Sequence, residues 1–404
     1  MAAQLVAALL SPQALSLYLL LVPVLLLYYS ATKTKRSGSE QAAAAGHGEE
    51  RPLPAPPSKL PLIGHLHLIG TDPHLSLAAL TAQHGDGGVL LLHLGQVRNL
   101  VVTTPGAAEA VLRTHDHVFA SRPQSAFADA LLDGSDIAFA PYGEFWRQLR
   151  RLVTTHLLSA RKVLSLRAGR EEEACLVMAK IRDAAAAGAQ EDEEADFVDV
   201  LLARQHEYSL TRQHIKAILV DMFVAGTDTS YVVLEFAMAE LMRKPHLMAK
   251  LQAEAVLKET LRLHPPLPLL LPHFSMDKCV INGYTVPAET RVIINVWAIG
   301  RDPGSWEDAE EFIPERFEDA ASPDYKGRDF GILPFGAGRR ICPGINFGMA
   351  SVEIMMANLA YCFDWELPGR MQHKDLDMTE VFGMTIHRKE KLLLVPTTRD
   401  VSHE

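Results

Sequence analysis

The chain has 404 residues, of which 48% are hydrophobic and 22% are charged, and this composition excludes a disordered or collagen-like protein. Lys and Arg number 39 against 49 Asp and Glu, a net charge of −10, so the basic surplus typical of a nucleic-acid binder is missing and no nucleic-acid partner is expected. Four cysteines without a C-x-x-C pair make no disulfide framework, and a large single-core enzyme facing a reducing compartment is expected.

The N-terminal segment predicts a membrane anchor. Residues 1–32 contain no charged side chain and residues 5–29 are nearly all apolar, with Lys33, Lys35 and Arg36 following directly. A span needs about 20 apolar residues, and positive charges after it place that side in the cytosol. A cleaved signal peptide is the alternative, but it carries its basic residues before the apolar stretch.

Residues 33–61 are interpreted as a linker and a proline-rich hinge. The segment 37–50 is of low complexity, and prolines then stand at positions 52, 54, 56, 57 and 61. Prolines at this density exclude a helix and favour a stiff extended run. Such a spacer orients a catalytic domain, predicted over residues 62–404, on a membrane.

The remainder is predicted to be mainly α with a small β-rich subdomain. Apolar periodicity predicts helices over residues 73–84, 104–113, 143–155, 169–187, 211–243 and 249–263. Strands are expected over residues 88–94, 100–102, 278–286 and 291–296. The third of these strand regions turns at Asn282-Gly283, and the acidic run 190–196 reads as a solvated loop.

The most specific segment is F-G-A-G-R-R-I-C-P-G, from Phe335 to Gly344. Its three glycines let the backbone approach a flat partner closely, and the helix start after Cys342 favours a thiolate. The segment resembles the haem-binding loop F-x-x-G-x-R-x-C-x-G of the cytochrome P-450 superfamily. The resemblance implies a cytochrome P-450 fold in which Cys342 is the axial iron ligand of haem b, while Phe335, Arg340 and Gly344 contact the cofactor.

A second motif of this family lies upstream, in the order that the family requires. Glu259 and Arg262 match E-x-x-R, and their i, i+3 spacing puts them on one helix face. The family pairs them with an arginine of a P-E-R-F-like segment, here Arg316. This motif is uninformative alone and gains weight from its position before L-H-P-P at 263–266.

The resemblance also assigns residues to the haem propionates. Trp146 and Arg150 match W-x-x-x-R, whose i, i+4 spacing lets both side chains reach a propionate, and Arg340 is a second partner. Many relatives have an arginine in the loop after L-H-P-P, where this chain has His273. A solvent-facing histidine is the alternative for that position.

A-G-T-D-T-S, from Ala225 to Ser230, resembles the oxygen-binding kink of the family's central helix. Gly226 permits close approach of the backbone to haem, and a threonine hydroxyl bends a helix by back-bonding. The resemblance implies that Thr229 holds water beside dioxygen while Asp228 relays protons. Without the Cys342 loop, a packing notch with three polar residues is the favoured alternative.

The family also suggests partners. Arg147 and Arg151 form a stripe that matches the face docking an acidic flavoprotein reductase, and Arg161, Lys162, Arg167 and Arg170 extend it. A solvated face is the alternative. The chain shows no G-x-G-x-x-G dinucleotide fingerprint, so NADPH is expected to act through that separate reductase.

The resemblance, which covers residues 52–397, indicates a plant microsomal monooxygenase anchored in the endoplasmic reticulum membrane by a single span, with its catalytic domain in the cytosol. The substrate is expected to be small and apolar, of the type oxidised by grass enzymes of indole-derived defence metabolism. The family positions that line the pocket are Ala225, Leu267, Leu269, Leu270, Phe382 and Thr385. Two regions, 169–211 and 250–259, are shorter than in relatives. A truncated scaffold without turnover is therefore an alternative, and a member that rearranges peroxides is another.

Overall fold

The computed structural model describes residues 51–132, 134–186, 211–249, 253–319, 322–369 and 371–399. The predicted anchor, the linker 37–50 and the acidic run 190–196 lie outside these residues. The helices are α1 Pro73–His84, α2 Pro105–Glu109, α3 Ala126–Leu132, α4 Glu144–Leu152, α5 Ala160–Ser165, α6 Arg167–Ala186, α7 Arg212–Arg243, α8 Pro245–Ala249, α9 Ala253–Leu263, α10 Val296–Ile299 and α11 Ile345–Cys362. The strands are β1 Arg51–Pro52, β2 Val89–Leu94, β3 Val97–Val102, β4 His273–Phe274, β5 Cys279–Ile281, β6 Tyr284–Val286, β7 Arg291–Ile294, β8 Phe363–Glu366, β9 Glu380–Phe382, β10 Ile386–Arg388 and β11 Val395–Thr398.

The fold is mainly helical with small sheets, as the sequence predicts. Two predicted helices end in π-helical turns, because α2 continues as Ala110–Thr114 and α4 as Val153–Leu157. The predicted strand 291–296 stops at Ile294, and Asn295 caps α10 by accepting the Ala298 N–H at 3.0 Å.

The largest sheet has the order β2-β3-β7-β4. Strands β2 and β3 form an antiparallel hairpin, β3 pairs with β7 in parallel, and β4 pairs with β7 in antiparallel. A second sheet contains β1, β6 and β5. Its hairpin turns at Asn282 and Gly283, whose φ values of 50° and 81° are those of a tight hairpin turn that asparagine and glycine favour.

The helical core is built around α7. Thr211 caps this helix by accepting the N–H of His214 at 3.1 Å, and the His214 ring accepts the Thr211 N–H in return. The second half of α7 is buried against α9 and α11. Among the described helices, α7 is the one long and apolar enough to cross a membrane, and the burial of its second half reflects its central place in the core.

Residues 220–231 of α7 carry an exposed apolar stripe. Its members are Val220, Phe223, Val224 and Tyr231, and Phe223 is 79% exposed. Their spacing of three, four and seven residues places them on one side of the helix. Within the described part of the chain, this side of the central helix therefore has little cover.

Candidate active site

The cysteine loop is held tightly before α11. The backbone N–H of Cys342 donates to the carbonyl oxygen of Phe335 at 2.9 Å, and the N–H of Gly344 donates to Cys342 Sγ at 3.3 Å. Gly336 and Gly338 both have φ of 67°, a left-handed conformation that glycine adopts without strain. A Cβ on Gly338 would lie 2.2 Å from the carbonyl oxygen of Leu112. The loop therefore requires glycine where the sequence has it.

The environment of Cys342 sets the charge of its sulfur. Burial raises the pKa of the Cys342 thiol, while the Gly344 amide and the Arg150 guanidinium oppose this rise. Arg150 also donates to the carbonyl oxygen of Ile341, the residue before the cysteine. A bound metal ion deprotonates a coordinating thiol outright, so a cation at this sulfur would complete the stabilisation of a thiolate.

Arg340 and Trp146 form one contact of the site. Arg340 is buried and donates to the carbonyl oxygens of Ala120 at 2.6 Å and Ala140 at 2.7 Å. Its guanidinium carbon lies 3.9 Å from the ring centroid of Trp146. The Trp146 indole N–H donates to the carbonyl oxygen of Ile137 at 3.0 Å. The structure thus brings both sequence-predicted residues together, with the indole N–H already bonded to backbone.

Arg122 is a site residue that the sequence analysis missed. It is buried and donates to the carbonyl oxygens of Ala138, Leu271 and Pro272 at 3.0, 2.8 and 3.0 Å. Burial and the nearby Arg340 lower the pKa of Arg122 to about 9. In the sequence, the feature that could have pointed to Arg122 is its position in S-R-P, directly after a short apolar run.

His273 is buried, so the alternative of a solvent-facing histidine is wrong. Its Nδ1 lies 2.9 Å from the carbonyl oxygen of Phe119, which can only accept, so Nδ1 carries the proton. Burial, together with Arg122 and Arg340, lowers the pKa of His273 to about 3 and leaves the ring neutral. In that form Nε2 is an acceptor, and a propionate would bind it only after the ring gained a second proton.

The buried guanidinium groups fit an anionic cofactor. Burial lowers the pKa of Arg122, Arg150 and Arg340, and these cations also act on one another. The hydrogen bonds described for Arg122 and Arg340 go to backbone carbonyls, and Asp136 is the carboxylate acting on both. Buried charges are costly unless they are paired. Two haem propionates would supply the negative charge, so this donor set fits haem beside Cys342.

Asp136 and Asp221 are a second feature without a sequence prediction. Asp221 Oδ2 accepts the N–H of Ile137 at 2.8 Å, and Asp136 Oδ1 accepts the N–H of Phe139 at 2.5 Å. Burial raises the pKa of Asp221 to about 7, and the charge of Asp136 adds to this rise. Asp221 thus ties the loop that precedes α4 to helix α7, and Asp136 bonds within that loop.

The predicted oxygen-binding segment lies in the first half of α7. The Thr229 hydroxyl donates back to the carbonyl oxygen of Ala225 at 2.5 Å, which is the expected back-bond. A Cβ on Gly226 would meet no described atom within 4 Å. Asp228 accepts a hydrogen bond from the hydroxyl of Thr385, which is 3% exposed. The structure therefore joins Thr385, predicted to line the pocket, to the predicted proton carrier.

For three of the other predicted lining residues, the structure shows a packing contact. Leu269 packs against the cluster formed by α1 and the large sheet, and the Phe382 ring stacks on His74 with centroids 5.8 Å apart. Leu270 lies beside the cysteine loop, 3.6 Å from the position of a Cβ on Gly336. Leu267 is half-buried, Ala225 is exposed, and their contact with a substrate stays a prediction.

The E-x-x-R residues are buried in the last turns of α9. Both Nε and Nη2 of Arg262 donate to the carboxylate of Glu259, and Arg316 Nε lies 3.5 Å from Glu259 Oε1. These contacts bring together the three residues that the motifs suggested. They tie α9 to the segment before the cysteine loop.

The basic stripe is partly neutralised. Arg147 and Arg151 are exposed on α4, and Arg147 pairs with Glu144. Arg167 pairs with Glu171 at 2.6 Å, while Arg170 donates to a backbone carbonyl. Arg161 is exposed and Lys162 is half-buried. Of the two arginines that define the stripe, Arg151 is thus the one with no ion pair described.

Comparison with known proteins agrees with this geometry. The cytochrome P450 family model matches residues 54–190 and 185–395. The indole-2-monooxygenase of Zea mays is 42% identical over 506 aligned positions, which cover 94% of each chain, and the indolin-2-one monooxygenase of Zea mays is 41% identical. The first alignment spans 506 positions but includes only 94% of the 404 residues of this chain, so the relative has about 126 residues without a counterpart. A solved zebrafish cytochrome P450 structure with abiraterone is 24% identical, with a TM-score of 0.68, and covers 81% of this chain and 100% of its own.

Proposed function

The chain belongs to the cytochrome P450 family and is a haem-thiolate monooxygenase, and we propose that it hydroxylates a small apolar, indole-derived metabolite with NADPH and O2. The observation that carries this proposal is the group of buried guanidinium side chains beside Cys342. The similarity to the two Zea mays enzymes supports the class of substrate.

Haem b supplies the chemistry that activates O2, and the residues of the chain hold the cofactor and manage protons. Cys342 would hold the haem iron through its sulfur, as the thiolate ligand of this class of haem protein. The Gly344 N–H donates to this sulfur and withdraws some of its charge. Arg122, Arg150 and Arg340 would bind the propionates by charge-assisted hydrogen bonds.

On the distal side, the α7 segment orients the groups that move protons. Thr229 presents its hydroxyl one turn after Ala225, while Asp228 holds a proton at a carboxylate oxygen and passes it on. The hydroxyl of Thr385 fixes the position of that carboxylate. Leu267 and Leu270, with Ala225 opposite, are proposed to form the apolar walls that orient the substrate and exclude water.

Electrons come from NADPH through a flavoprotein reductase, which is proposed to dock on the face around Arg151. The apolar segment 1–32 is proposed to hold the protein in the endoplasmic reticulum membrane, with the domain in the cytosol. The charge pattern that follows this segment supports this orientation.

Two measurements test the proposal. The reduced protein with carbon monoxide should show the absorbance band of thiolate-ligated haem, and NADPH with a plant reductase should convert indole to a hydroxylated product. A chain that takes up no haem would contradict the proposal.

The second candidate function is a scaffold without turnover. Two observations favour it: the exposed stripe of α7, in which Phe223 is 79% exposed, and the absence of about 126 positions relative to the first Zea mays enzyme. Haem uptake without any product from indole or indolin-2-one would support this candidate.

A further inference from the structure

Two residues of the β9–β10 hairpin lead from the protein surface to Asp228. The Thr385 hydroxyl donates to Asp228 Oδ2, and Thr385 Oγ1 lies 2.9 Å from His387 Nε2. We infer that His387 and Thr385 form a proton relay that recharges Asp228 during turnover. This inference rests on the proposed function, and it assigns new positioning residues to that reaction.

The bonding capacities of the three groups give the relay a direction. A threonine hydroxyl has one hydrogen to donate, and here this hydrogen goes to the Asp228 carboxylate. The contact with His387 must then use a lone pair of the hydroxyl oxygen, so Nε2 of the ring carries the donated hydrogen. Each group thus donates forward, from His387 through Thr385 to Asp228.

Solvent exposure differs between the middle of this path and its two ends. Thr385 is 3% exposed, so its hydroxyl is shielded from bulk water. His387 and Asp228 are both half-buried. His387 thus reaches solvent on the hairpin side, and the buried Thr385 hydroxyl connects it to Asp228 on the helix.

The hairpin is held firmly enough to keep this alignment. Phe382 pairs with Ile386, and the Gly383 N–H donates to the Thr385 carbonyl oxygen at 3.0 Å. The Ile386 N–H donates to the carbonyl oxygen of Pro266 in the L-H-P-P segment, also at 3.0 Å. Thr385 is thus fixed from both the hairpin and the end of α9.

The transfer balances without any change of electrons. As Asp228 gives up a proton, the Thr385 hydroxyl proton moves to the carboxylate and the His387 Nε2 proton moves to the hydroxyl oxygen. Nδ1 of His387 takes one proton from water, and ring tautomerisation restores the starting state. One proton in total passes from solvent to Asp228.

The test compares Thr385→Val, which removes the hydroxyl, with Thr385→Ser, which keeps it, and with His387→Gln. Thr379→Val is the matched control, because the exposed Thr379 hydroxyl donates to Asp377 Oδ1 at 2.5 Å outside the site. The haem-loaded full chain is assayed with indole, using either NADPH and a plant reductase or iodosylbenzene. Iodosylbenzene delivers an oxygen atom without the proton-dependent steps.

We expect Thr385→Val and His387→Gln to lower product per NADPH at least roughly tenfold, since general acid catalysis contributes about 10²–10⁴-fold. Thr385→Ser should recover the product per NADPH that Thr385→Val loses, and Thr379→Val should match the parent chain. With iodosylbenzene all variants should form product from indole at the rate of the parent chain. Loss of both activities in Thr385→Val would show that the hydroxyl only shapes the pocket and would overturn the relay.

A readout independent of turnover checks the bond itself. Thermal unfolding of Thr385→Val, Asp228→Asn and the double variant should be non-additive, as expected for residues in contact. Additive effects would overturn the relay. A parent chain that binds no haem and oxidises indole with neither oxidant contradicts the proposed function, and the relay is overturned with it. A working parent with a fully coupled Thr385→Val contradicts the relay alone.

Discussion

Arg262 and Glu259 form a bidentate ion pair in which neither side chain exposes any surface, with N···O distances of 2.6 and 2.7 Å. The remaining hydrogens of Arg262 go to the carbonyl oxygens of Gly300, Ala309 and Glu311. One side chain thus joins α9 to the long connection that leads towards the cysteine loop. Removing one partner of such a pair leaves an uncompensated buried charge.

We therefore expect Arg262→Ala to lower the free energy of unfolding by about 3–5 kcal/mol. Denaturant unfolding and haem content measure this loss. Lys258→Ala is the control, because Lys258 pairs with the exposed Glu254 at 2.8 Å, and such pairs contribute about 0–1 kcal/mol. Equal losses in the two variants would contradict the structural role of the buried pair.

Cys342→Ser should abolish the absorbance band of thiolate-ligated haem in the reduced, carbon monoxide-bound protein. Membrane association should be unchanged, because the apolar segment 1–32 is distant in sequence from the ligand. Cys175→Ser on the exposed side of α6 serves as the control. A normal band in Cys342→Ser would exclude this residue as the axial ligand.

Thr229→Ala should reduce product per NADPH far more than it reduces NADPH consumption, with the difference released as peroxide. The reason is that the hydroxyl directs protons to oxygen. Thr81→Ala is a matched control, since the Thr81 hydroxyl makes the same type of back-bond, to Leu77 at 2.8 Å, away from the site. Unchanged coupling in Thr229→Ala would reduce this residue to a packing role.

The stability of the protein should depend on pH through His264. Its ring nitrogens lie 2.8 Å from Glu380 and 3.0 Å from Glu240. Burial opposes the charge on this ring, but the hydrogen bonds to the two carboxylates outweigh it and raise the pKa of His264. Burial likewise opposes the charge of Glu380, yet the hydrogen bond with His264 and the nearby His74 ring, 3.6 Å away, lower the pKa of Glu380 to about 2.

The sign of each contribution follows from these directions. A raised histidine pKa stabilises the fold below the ordinary value of 6.5, and this contribution is lost as pH rises through the raised value. A lowered glutamate pKa stabilises above 4.5, and the contribution is lost as pH falls towards 2. Together these two groups should stabilise the fold most between pH 4.5 and 6.5.

Urea unfolding between pH 3 and 8 measures this dependence. Glu380→Gln should remove the loss of stability at low pH. In the parent chain this loss amounts to up to about 3 kcal/mol in the free energy of unfolding, because each pKa unit corresponds to about 1.4 kcal/mol. Glu289→Gln, on an exposed loop, is the control. A parent and Glu380→Gln with the same acid slope would contradict the network.

Restoring the segments that relatives carry should improve folding. We expect insertion after Ala186, where α6 ends and the two family matches meet, and after Lys250 to raise haem content and product. The inserted helices would cover the stripe around Phe223, and each 100 Å² of apolar surface buried stabilises by about 2.5 kcal/mol. Flexible Gly/Ser inserts of the same length are the control, and equal haem content in all chains would mean that the shortened regions are tolerated.

The sequence by itself determined the features that depend on neighbours in the chain. Apolar periodicity placed α1 at its observed bounds and α7 within one residue. The resemblance of Phe335, Gly338 and Cys342 to the family motif identified the cysteine loop, since the motif is contiguous in the chain. The pairing of Glu259 with Arg262 followed from helix geometry, since residues three apart lie on one face.

Only the tertiary structure decided which distant side chains meet. Arg122 is buried beside Arg340 and donates to Leu271, and its position in S-R-P after a short apolar run does not by itself distinguish it from a surface arginine. His273 is neutral because the packed core and two neighbouring guanidinium groups remove its charge. The Asp228–Thr385 contact spans 157 positions. Such contacts depend on how helices and hairpins pack, and packing is a property of the whole chain rather than of any segment.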